Sequence, residues 1–241
     1  MNLASFVEDV LFPPECLFCG IHLPLCTRPL VCELCKEKYC AYHNKCSRCG
    51  SGFEYRGGLP FCNTCRSARY PFDGVISAYH YTGGVRDAII RHKFDFMYNN
   101  SPTFALGISE IINHIFTQIK PDFIAIVPTD KIRLRERGYN AVSEIAEIIS
   151  SKTDIPLYGN ALLKIKNVPQ QSTLSLRQRM RNVHGCFSVK NKSDIKNKSI
   201  ILIDDVFTTG ATTRECAKML KKAGATYIFV ITVAITKRSK I

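Results

Sequence analysis

Apolar residues are grouped along the chain in a way that predicts alternating strands and helices. Near-continuous apolar runs, typical of parallel strands buried on both faces, begin at Val75 and occupy residues 123–127, 200–203 and 227–235. Apolar residues at helical spacing occur in residues 103–118 and 141–149, and again around Cys216 and Leu220. The pattern predicts an α/β fold in which a parallel sheet carries helices on both faces.

The composition is that of a protein with a hydrophobic core. Of the 241 residues, 46% are hydrophobic and 10% aromatic, which argues against global disorder. The longest apolar run, residues 227–236, is about half a membrane span, so we expect no membrane insertion. Glu8 and Asp9 stand where a secretion signal needs basic residues, and we expect a cytoplasmic protein.

Cysteine and charge divide the chain into two parts. Ten of the twelve cysteines lie at or before Cys65, and residues 1–70 carry a formal charge of +2. The remaining 171 residues carry +11 of the total of +13. Pro71 and Gly74 mark the junction. We therefore predict a cysteine-rich module over residues 1–70 and a basic α/β domain over residues 71–241.

Eight of the cysteines form an internal repeat with the spacing of a metal site. Four C-x-x-C pairs occur, and adding 30 to the first four positions gives the second four: Cys16, Cys19, Cys32, Cys35, Cys46, Cys49, Cys62 and Cys65. Two such turns complete a tetrahedral set of four thiolates, the usual structural zinc site. Gly20 and Gly50 can supply the positive φ that such a knuckle requires.

The repeat leaves the number and pairing of the zinc ions open. Two separate ribbons, each closed by its own half-repeat, are favoured over interleaved pairing, and one zinc with a degenerate second site is the alternative. Disulfides are disfavoured because a cytoplasmic protein keeps its thiols reduced. Cys26, Cys40, His22 and His43 break the repeat and are interpreted as bystanders. A site of four thiolates has no open position, so its role is structural.

The basic domain contains a strand that ends in two acids and a hydroxyl-rich turn. Asp204 and Asp205 follow the buried run 200–203, at the strand end where ligands bind in open α/β sheets. Successive backbone N–H groups of residues 208–212, at a helix N-terminus, can hold a phosphate monoester. The adjacent acids would repel that phosphate and suit a sugar diol or a magnesium-bound polyol just beyond it. A Walker B strand is a rival interpretation, but no G-x-x-x-x-G-K-[ST] loop is present. A buried strand followed by a capped helix leaves the acids unexplained.

This segment resembles the PRPP (phosphoribosyl pyrophosphate) signature of type I phosphoribosyltransferases. The resemblance implies that Asp204 and Asp205 contact the ribose hydroxyls and that the turn holds the 5′-phosphate. It also implies that the loop after strand 123–127 holds the pyrophosphate, with Mg²⁺ bound alongside PRPP. The candidate ligand-binding residues are Asp204, Asp205, Val206, Phe207, Thr208, Thr209, Gly210, Ala211, Thr212, Thr129, Asp130 and Lys131.

Further motifs extend the resemblance over nearly the whole chain. It is similar to the ComF family of competence-associated proteins, with a double zinc ribbon before a type I phosphoribosyltransferase-like domain. The motifs are Leu11–Cys16, the turn 79–84 and the helix after it with Arg86, Ile89, Ile90 and Lys93, Val127-Pro128, Arg137-Gly138-Tyr139-Asn140, Gln171, Leu174-Ser175, Arg179, Asn182-Val183, Gly185, Phe187 and 202–212. Ala141 and Phe207 depart from the family pattern.

The ComF resemblance implies that the protein handles single-stranded DNA during natural transformation, with competence or recombination proteins as partners. Basic residues interleaved with Tyr139, Phe187 or Phe207 could grip the backbone and stack bases. The candidate nucleic-acid contacts are Arg133, Arg135, Arg137, Arg177, Arg179 and Arg181. An active phosphoribosyltransferase with an unidentified acceptor is one alternative, and a zinc-ribbon adaptor is another. No catalytic residue is assigned, and His80, His92, His114 and His184 are interpreted as structural or surface residues.

Overall fold

The structure, a computed structural model, describes residues 3–41, 46, 48, 50, 62, 65, 70–94, 100–116, 120–130, 134–135, 138–166 and 176–236. The helices are α1 (Leu3–Leu11), α2 (Glu33–Tyr39), α3 (Gly83–Phe94), α4 (Ser101–Ile115), α5 (Ala141–Thr153), α6 (Leu176–Val183) and α7 (Ala211–Lys222). The strands are β1 (Gly74–His80), β2 (Phe123–Ile126), β3 (Leu162–Lys164), β4 (Phe187–Val189), β5 (Ser199–Phe207) and β6 (Tyr227–Ile235).

A parallel sheet forms the centre of the fold. Its strand order is β1-β6-β5-β2, so the acid-bearing strand β5 lies between two neighbours. Strands β3 and β4 form a separate antiparallel pair. The apolar runs that predicted buried strands correspond to β2, β5 and β6, and the α/β prediction is confirmed.

Alternating residues of β5 face two hydrophobic cores. Ile201 and Ile203 pack in the core that holds α3, α4 and α5, whereas Ile200 and Leu202 pack in the core that holds α7 and the β3–β4 pair. This alternation follows from the pleat of a strand, whose successive side chains point to opposite faces. The predicted helices on both faces are therefore present. All four of these residues are fully buried, which explains why the strand is aliphatic throughout.

The helix predicted over residues 103–118 is α4, which runs from Ser101 to Ile115. Its predicted apolar stripe is the buried face, with Ile108, Ile111 and Ile112 in the core. Helix α5 begins at the predicted position, and Asn140 caps it by accepting a hydrogen bond from the N–H of Val142.

The N-terminal module is joined to the sheet through several contacts. Cys40 pairs antiparallel with Tyr79 of β1, and the N–H of Ala41 donates to the carbonyl of Ala78 at 2.9 Å. Phe18, within the first C-x-x-C turn, packs edge-on against both Tyr39 and Tyr79, with ring centroids 5.7 and 5.0 Å apart. The module and the α/β domain thus share one core.

The start of α3 lies directly against the first C-x-x-C turn. A Cβ atom added to Gly84 would lie 1.8 Å from the carbonyl oxygen of Phe18, and only glycine allows this approach. Near the other end of α3, Arg91 donates to the carbonyl of Leu17 at 3.1 Å. The first C-x-x-C turn therefore contacts α3 near both ends of the helix.

Among the helices that the structure describes, none combines the length and the apolar character needed to cross a membrane.

Candidate functional site

The two predicted acids lie at the C-terminal end of β5, at the edge of the sheet where ligands bind in this class of fold. The carboxylate of Asp204 accepts a hydrogen bond from the N–H of Asp205 at 2.9 Å, and that of Asp205 accepts one from the N–H of Val206 at 2.5 Å. Both side chains are partly buried. The acids are therefore held by the backbone of their own strand and remain reachable from the strand end.

Lys93 of α3 forms an ion pair with Asp205. The side chains are 22% and 23% exposed, so the pair is shielded from bulk water but still accessible. Lys93 lies in one of the motifs that carry the ComF resemblance but was not predicted to belong to this site. The ion pair joins α3 to β5, whereas the neighbouring carboxylate of Asp204 lies near Cys216 of α7.

The pKa of Asp204 reflects its burial and the repulsion between the two neighbouring acids. Burial raises the pKa of Asp204 well above its usual value, and the negative charge of Asp205 raises it further. The ammonium group of Lys93 and the N–H of Asp205 oppose this shift. A group that donates hydrogen bonds to both carboxylates, as a sugar diol would, would favour their ionised forms.

The turn after β5 enters α7 through a glycine in the left-handed region. Gly210 has φ +72° and precedes α7, and the hydroxyl of Thr209 accepts the N–H of Ala211 at 3.3 Å. A Cβ atom on Gly210 would also lie 2.5 Å from the ring of Phe207. Glycine is required there by both the backbone and the packing. Thr208 is exposed and Thr212 partly buried.

Phe207 has a different role from the one predicted. Its side chain is 1% exposed and packs under Gly210 and edge-on against Phe72. Phe187 is 4% exposed. Neither ring can stack on a base in this structure, so the predicted stacking role is wrong for both residues. The bulky side chain of Phe207 supports the turn from below.

The loop after β2 is tied to the start of α5 and to β3. The hydroxyl of Thr129 donates to the side-chain oxygen of Asn140 at 3.1 Å, and Asp130 forms an ion pair with Lys164 at 2.9 Å. The carboxylate of Asp130 is thus already neutralised by a lysine that sequence reasoning did not assign. Lys131 lies outside the described residues.

The predicted basic positions are only partly described. Arg135 is exposed and helical, next to residues outside the described part of the chain, and Arg181 is exposed near the end of α6. Arg177 and Arg179 belong to α6, but their side chains fall outside the described part of the chain. Arg133 and Arg137 lie outside it altogether. The structure thus gives the exposure of two of the six positions, and the prediction of a basic surface for nucleic acid stays a prediction.

The first cysteine cluster contains the four residues of the first half-repeat. The sulfurs of Cys16, Cys19, Cys32 and Cys35 lie within 4.8 Å of one another. Those of Cys19 and Cys32 are 3.7 Å apart, close to the edge of about 3.8 Å that a tetrahedral centre with 2.3 Å Zn–S bonds requires. Burial acts to raise the pKa of Cys16, but backbone N–H donors, among them Cys32 at 3.4 Å, lower it to about 7. The donor set fits zinc.

The second cluster contains Cys46, Cys62 and Cys65, whose sulfurs also lie within 4.8 Å of one another. The fourth member of that half-repeat, Cys49, lies outside the described residues. The cysteines therefore group by half-repeat, as the favoured pairing predicts. Cys26 and Cys40 join neither cluster within the described region. Gly20 and Gly50 have φ of +75° and +67°, as predicted for the knuckles.

The comparisons with known proteins agree with this geometry. Residues 97–241 match the family model of the phosphoribosyl transferase domain. The chain belongs to the phosphoribosyl transferase domain family. Within that family match lie the acid pair, the turn and the loop after β2, whereas Lys93 lies outside it.

Relatives extend the likeness to the cysteine module. The chain is 28% identical to Competence protein F of Haemophilus influenzae over 220 residues, which cover 90% of this chain and 94% of that protein. It is 25% identical over 218 residues to DNA utilization protein YhgH of Escherichia coli K12, covering 86% of this chain and 93% of the other. Competence protein ComFC of Bacillus subtilis is 30% identical over 159 residues, 61% of this chain and 58% of that protein. The resemblance to the ComF family is confirmed.

Proposed function

We propose that this phosphoribosyltransferase-family protein binds PRPP with Mg²⁺ at the end of β5 and handles single-stranded DNA in the cytoplasm during natural transformation. The observation that carries the proposal is the juxtaposition at the end of β5. Asp204 and Asp205 are followed within five residues by a glycine with positive φ at the N-terminus of α7. A ribose phosphate suits both halves, with its hydroxyls toward the acids and its phosphate in the turn.

We infer that each cysteine cluster holds one structural zinc ion. The inference is supported by the thiol-only donor set and by the separate grouping of the two half-repeats. Zinc at the first cluster would order the turn that contacts α3. The clusters offer no open coordination position when four thiolates are engaged, so we assign the ligand chemistry to the sheet edge rather than to the metal module.

The DNA part of the proposal is supported by the names of the relatives and by the charge of the chain. Competence protein F and DNA utilization protein YhgH are its homologues over more than four-fifths of its length. The net charge of +13 favours a polyanion, and of the predicted contacts Arg135 and Arg181 are exposed. Binding of this kind weakens steeply with salt, because phosphate contacts release condensed counterions.

Calorimetric titration of PRPP with Mg²⁺ into the zinc-loaded protein tests the ligand site. Saturable binding is expected in the wild type, and its loss is expected in the double variant Asp204→Asn/Asp205→Asn. Asp122→Asn is the matched control, since Asp122 accepts the N–H of Ser199 at the opposite end of β5. Unchanged affinity in the double variant would refute the assignment of the acid pair.

A second titration tests the DNA part. Binding of a single-stranded oligonucleotide, followed at increasing salt, is expected to weaken along a straight line in log–log coordinates. Release of pyrophosphate on addition of DNA or free bases to the PRPP complex would favour an active transferase. Partner binding that is insensitive to salt, with no DNA binding, would favour the adaptor alternative.

A further inference from the structure

Lys93 occupies a position that only the folded chain reveals. It lies on α3, before the start of the family match at residue 97, and its ammonium group forms an ion pair with one oxygen of Asp205. The other oxygen of Asp205 accepts the N–H of Val206. The carboxylate is thus held on one side by its own strand and on the other by a cation from a helix across the site.

The C-terminal end of α3 is fixed by contacts with the rest of the protein. Arg91 donates to the carbonyl of Leu17 in the first C-x-x-C turn, at 3.1 Å. The hydroxyl of Tyr139 donates to the carbonyl of His92. Residues on both sides of the helix end therefore set the position of the backbone that carries Lys93.

The side chain of His92 strengthens this anchor. It is buried, its ring packs edge-on against Phe104, and its Nε2 lies 3.4 Å from the hydroxyl of Ser101. Ser101 in turn donates to Glu144 of α5 at 2.7 Å. The histidine next to Lys93 is thus a structural residue, as the sequence analysis interpreted it, and it limits the freedom of the lysine.

We propose that Lys93 is a positioning residue of the ribose site, which fixes the Asp205 carboxylate and balances the charge of the acid pair so that both acids accept hydrogen bonds from a ribose diol. The proposal rests on the ribose-phosphate function proposed above. Two adjacent carboxylates without a cation would favour uptake of a proton by one of them. A protonated carboxyl accepts fewer hydrogen bonds than a carboxylate, and this would weaken recognition of the diol.

The surroundings of the acid pair point to Lys93 as its balancing cation. The charges that act on Asp204 are those of Asp205 and of Lys93 on α3. Asp204 in turn acts on Cys216 of α7, whose other charged neighbours are Glu215 and Lys164. Lys164 is paired with Asp130 at 2.9 Å. The thiol of Cys216 has a pKa raised by burial first and by the charge of Asp204 second, so it stays neutral. Within the part of the chain that the structure describes, Lys93 contacts the pair directly through Asp205.

The test compares Lys93→Met with Lys93→Arg and a control. The matched control is Lys198→Met, which removes an ion pair of 2.7 Å with Asp122 at the opposite end of β5. Ribose 5-phosphate is titrated calorimetrically into each protein from mildly acidic to mildly alkaline pH, and a thermal melt of each variant establishes that it is folded. Wild type and Lys198→Met are expected to bind alike.

Lys93→Met is expected to bind about tenfold or more weakly at neutral pH, the loss typical of one charge-assisted contact. Its affinity is expected to recover as the pH rises and both acids ionise. Lys93→Arg keeps the charge and is expected to keep the wild-type pH profile. Wild-type or tighter affinity in Lys93→Met at every pH would overturn the role of Lys93 while leaving the proposed function intact. A displaced pH profile in Lys93→Arg would overturn it too. Absence of ribose 5-phosphate binding by the wild type would overturn both the role of Lys93 and the proposed ribose-phosphate function.

Discussion

Replacing Gly84 by alanine has two opposing effects on the stability of the protein. Alanine is the better helix former, by at most about 1 kcal/mol within a helix, and Gly84 is the second residue of α3. Helix propensity alone therefore predicts a more stable protein. The contact between α3 and the first C-x-x-C turn predicts the opposite, because the new methyl group would enter the backbone of Phe18.

The distances decide which effect is larger. The added Cβ would lie 1.8, 2.6 and 2.9 Å from the carbonyl oxygen, carbonyl carbon and Cα of Phe18, all of them backbone atoms. No side-chain rotation can relieve this overlap, so the turn or the helix must move by more than 1 Å to restore a normal contact. Overpacking of this kind costs about 3 kcal/mol. The net loss of about 2 kcal/mol corresponds to a melting temperature lower by roughly 4–8 °C for a chain of this size.

Thermal unfolding followed by circular dichroism measures the effect, with zinc release to a chelating dye as a second signal. We expect Gly84→Ala to melt at a lower temperature and to release zinc from the first cluster more readily. Gly159→Ala is the control, because its Cβ would meet nothing closer than 3.8 Å and its stability should change by less than about 1 kcal/mol. A Gly84→Ala protein as stable as the wild type, or more so, would show that the contact does not join the two parts.

Three further substitutions test separate features. Asp204→Asn should raise the melting temperature at neutral pH, because burial raises the pKa of Asp204 and the ionised carboxylate destabilises the folded state. The gain in melting temperature should shrink as the pH falls through that raised pKa. A gain that persists in acid would contradict this explanation. Phe207→Ala should cost about 3–5 kcal/mol in chemical denaturation through the cavity beneath Gly210, and a loss under about 1 kcal/mol would argue against its burial. Cys35→Ser should remove one zinc atom in elemental analysis, together with a large part of the roughly 10 kcal/mol that the ion contributes, whereas unchanged zinc content would contradict the four-cysteine set.

The central sheet could be predicted from the sequence because its strands are buried on both faces. The runs 123–127 and 227–235 differ from β2 and β6 by at most one residue at an end. The half-repeat grouping of the cysteines was equally predictable, since a C-x-x-C turn places both ligands on one side of a metal whatever the rest of the fold does. Local pattern and local chemistry suffice for such features.

The contacts that could not be predicted from the sequence join elements that are far apart along the chain. Lys93 and Lys164 carry no local signal that would link them to Asp205 and Asp130, because only the packing of α3 and β3 around the sheet brings the charges together. Gly84 likewise looks like an ordinary helix-start glycine until Phe18 is placed against it. Phe207 was assigned to the ligand turn from its position in the motif, but its ring is buried in the core that holds α7.

The pairing of Cys40 and Ala41 with β1 has a consequence for any shortened form of this protein. β1 is an outer strand of the parallel sheet, and these two residues cover part of its open side. A chain cut back to residues 71–241 would expose unpaired N–H and C=O groups together with the apolar surface of Tyr79. Such an uncovered edge is a template for strand addition by another molecule. The cysteine module thus covers part of this sheet edge, and we expect a chain without the module to aggregate more readily than the full chain.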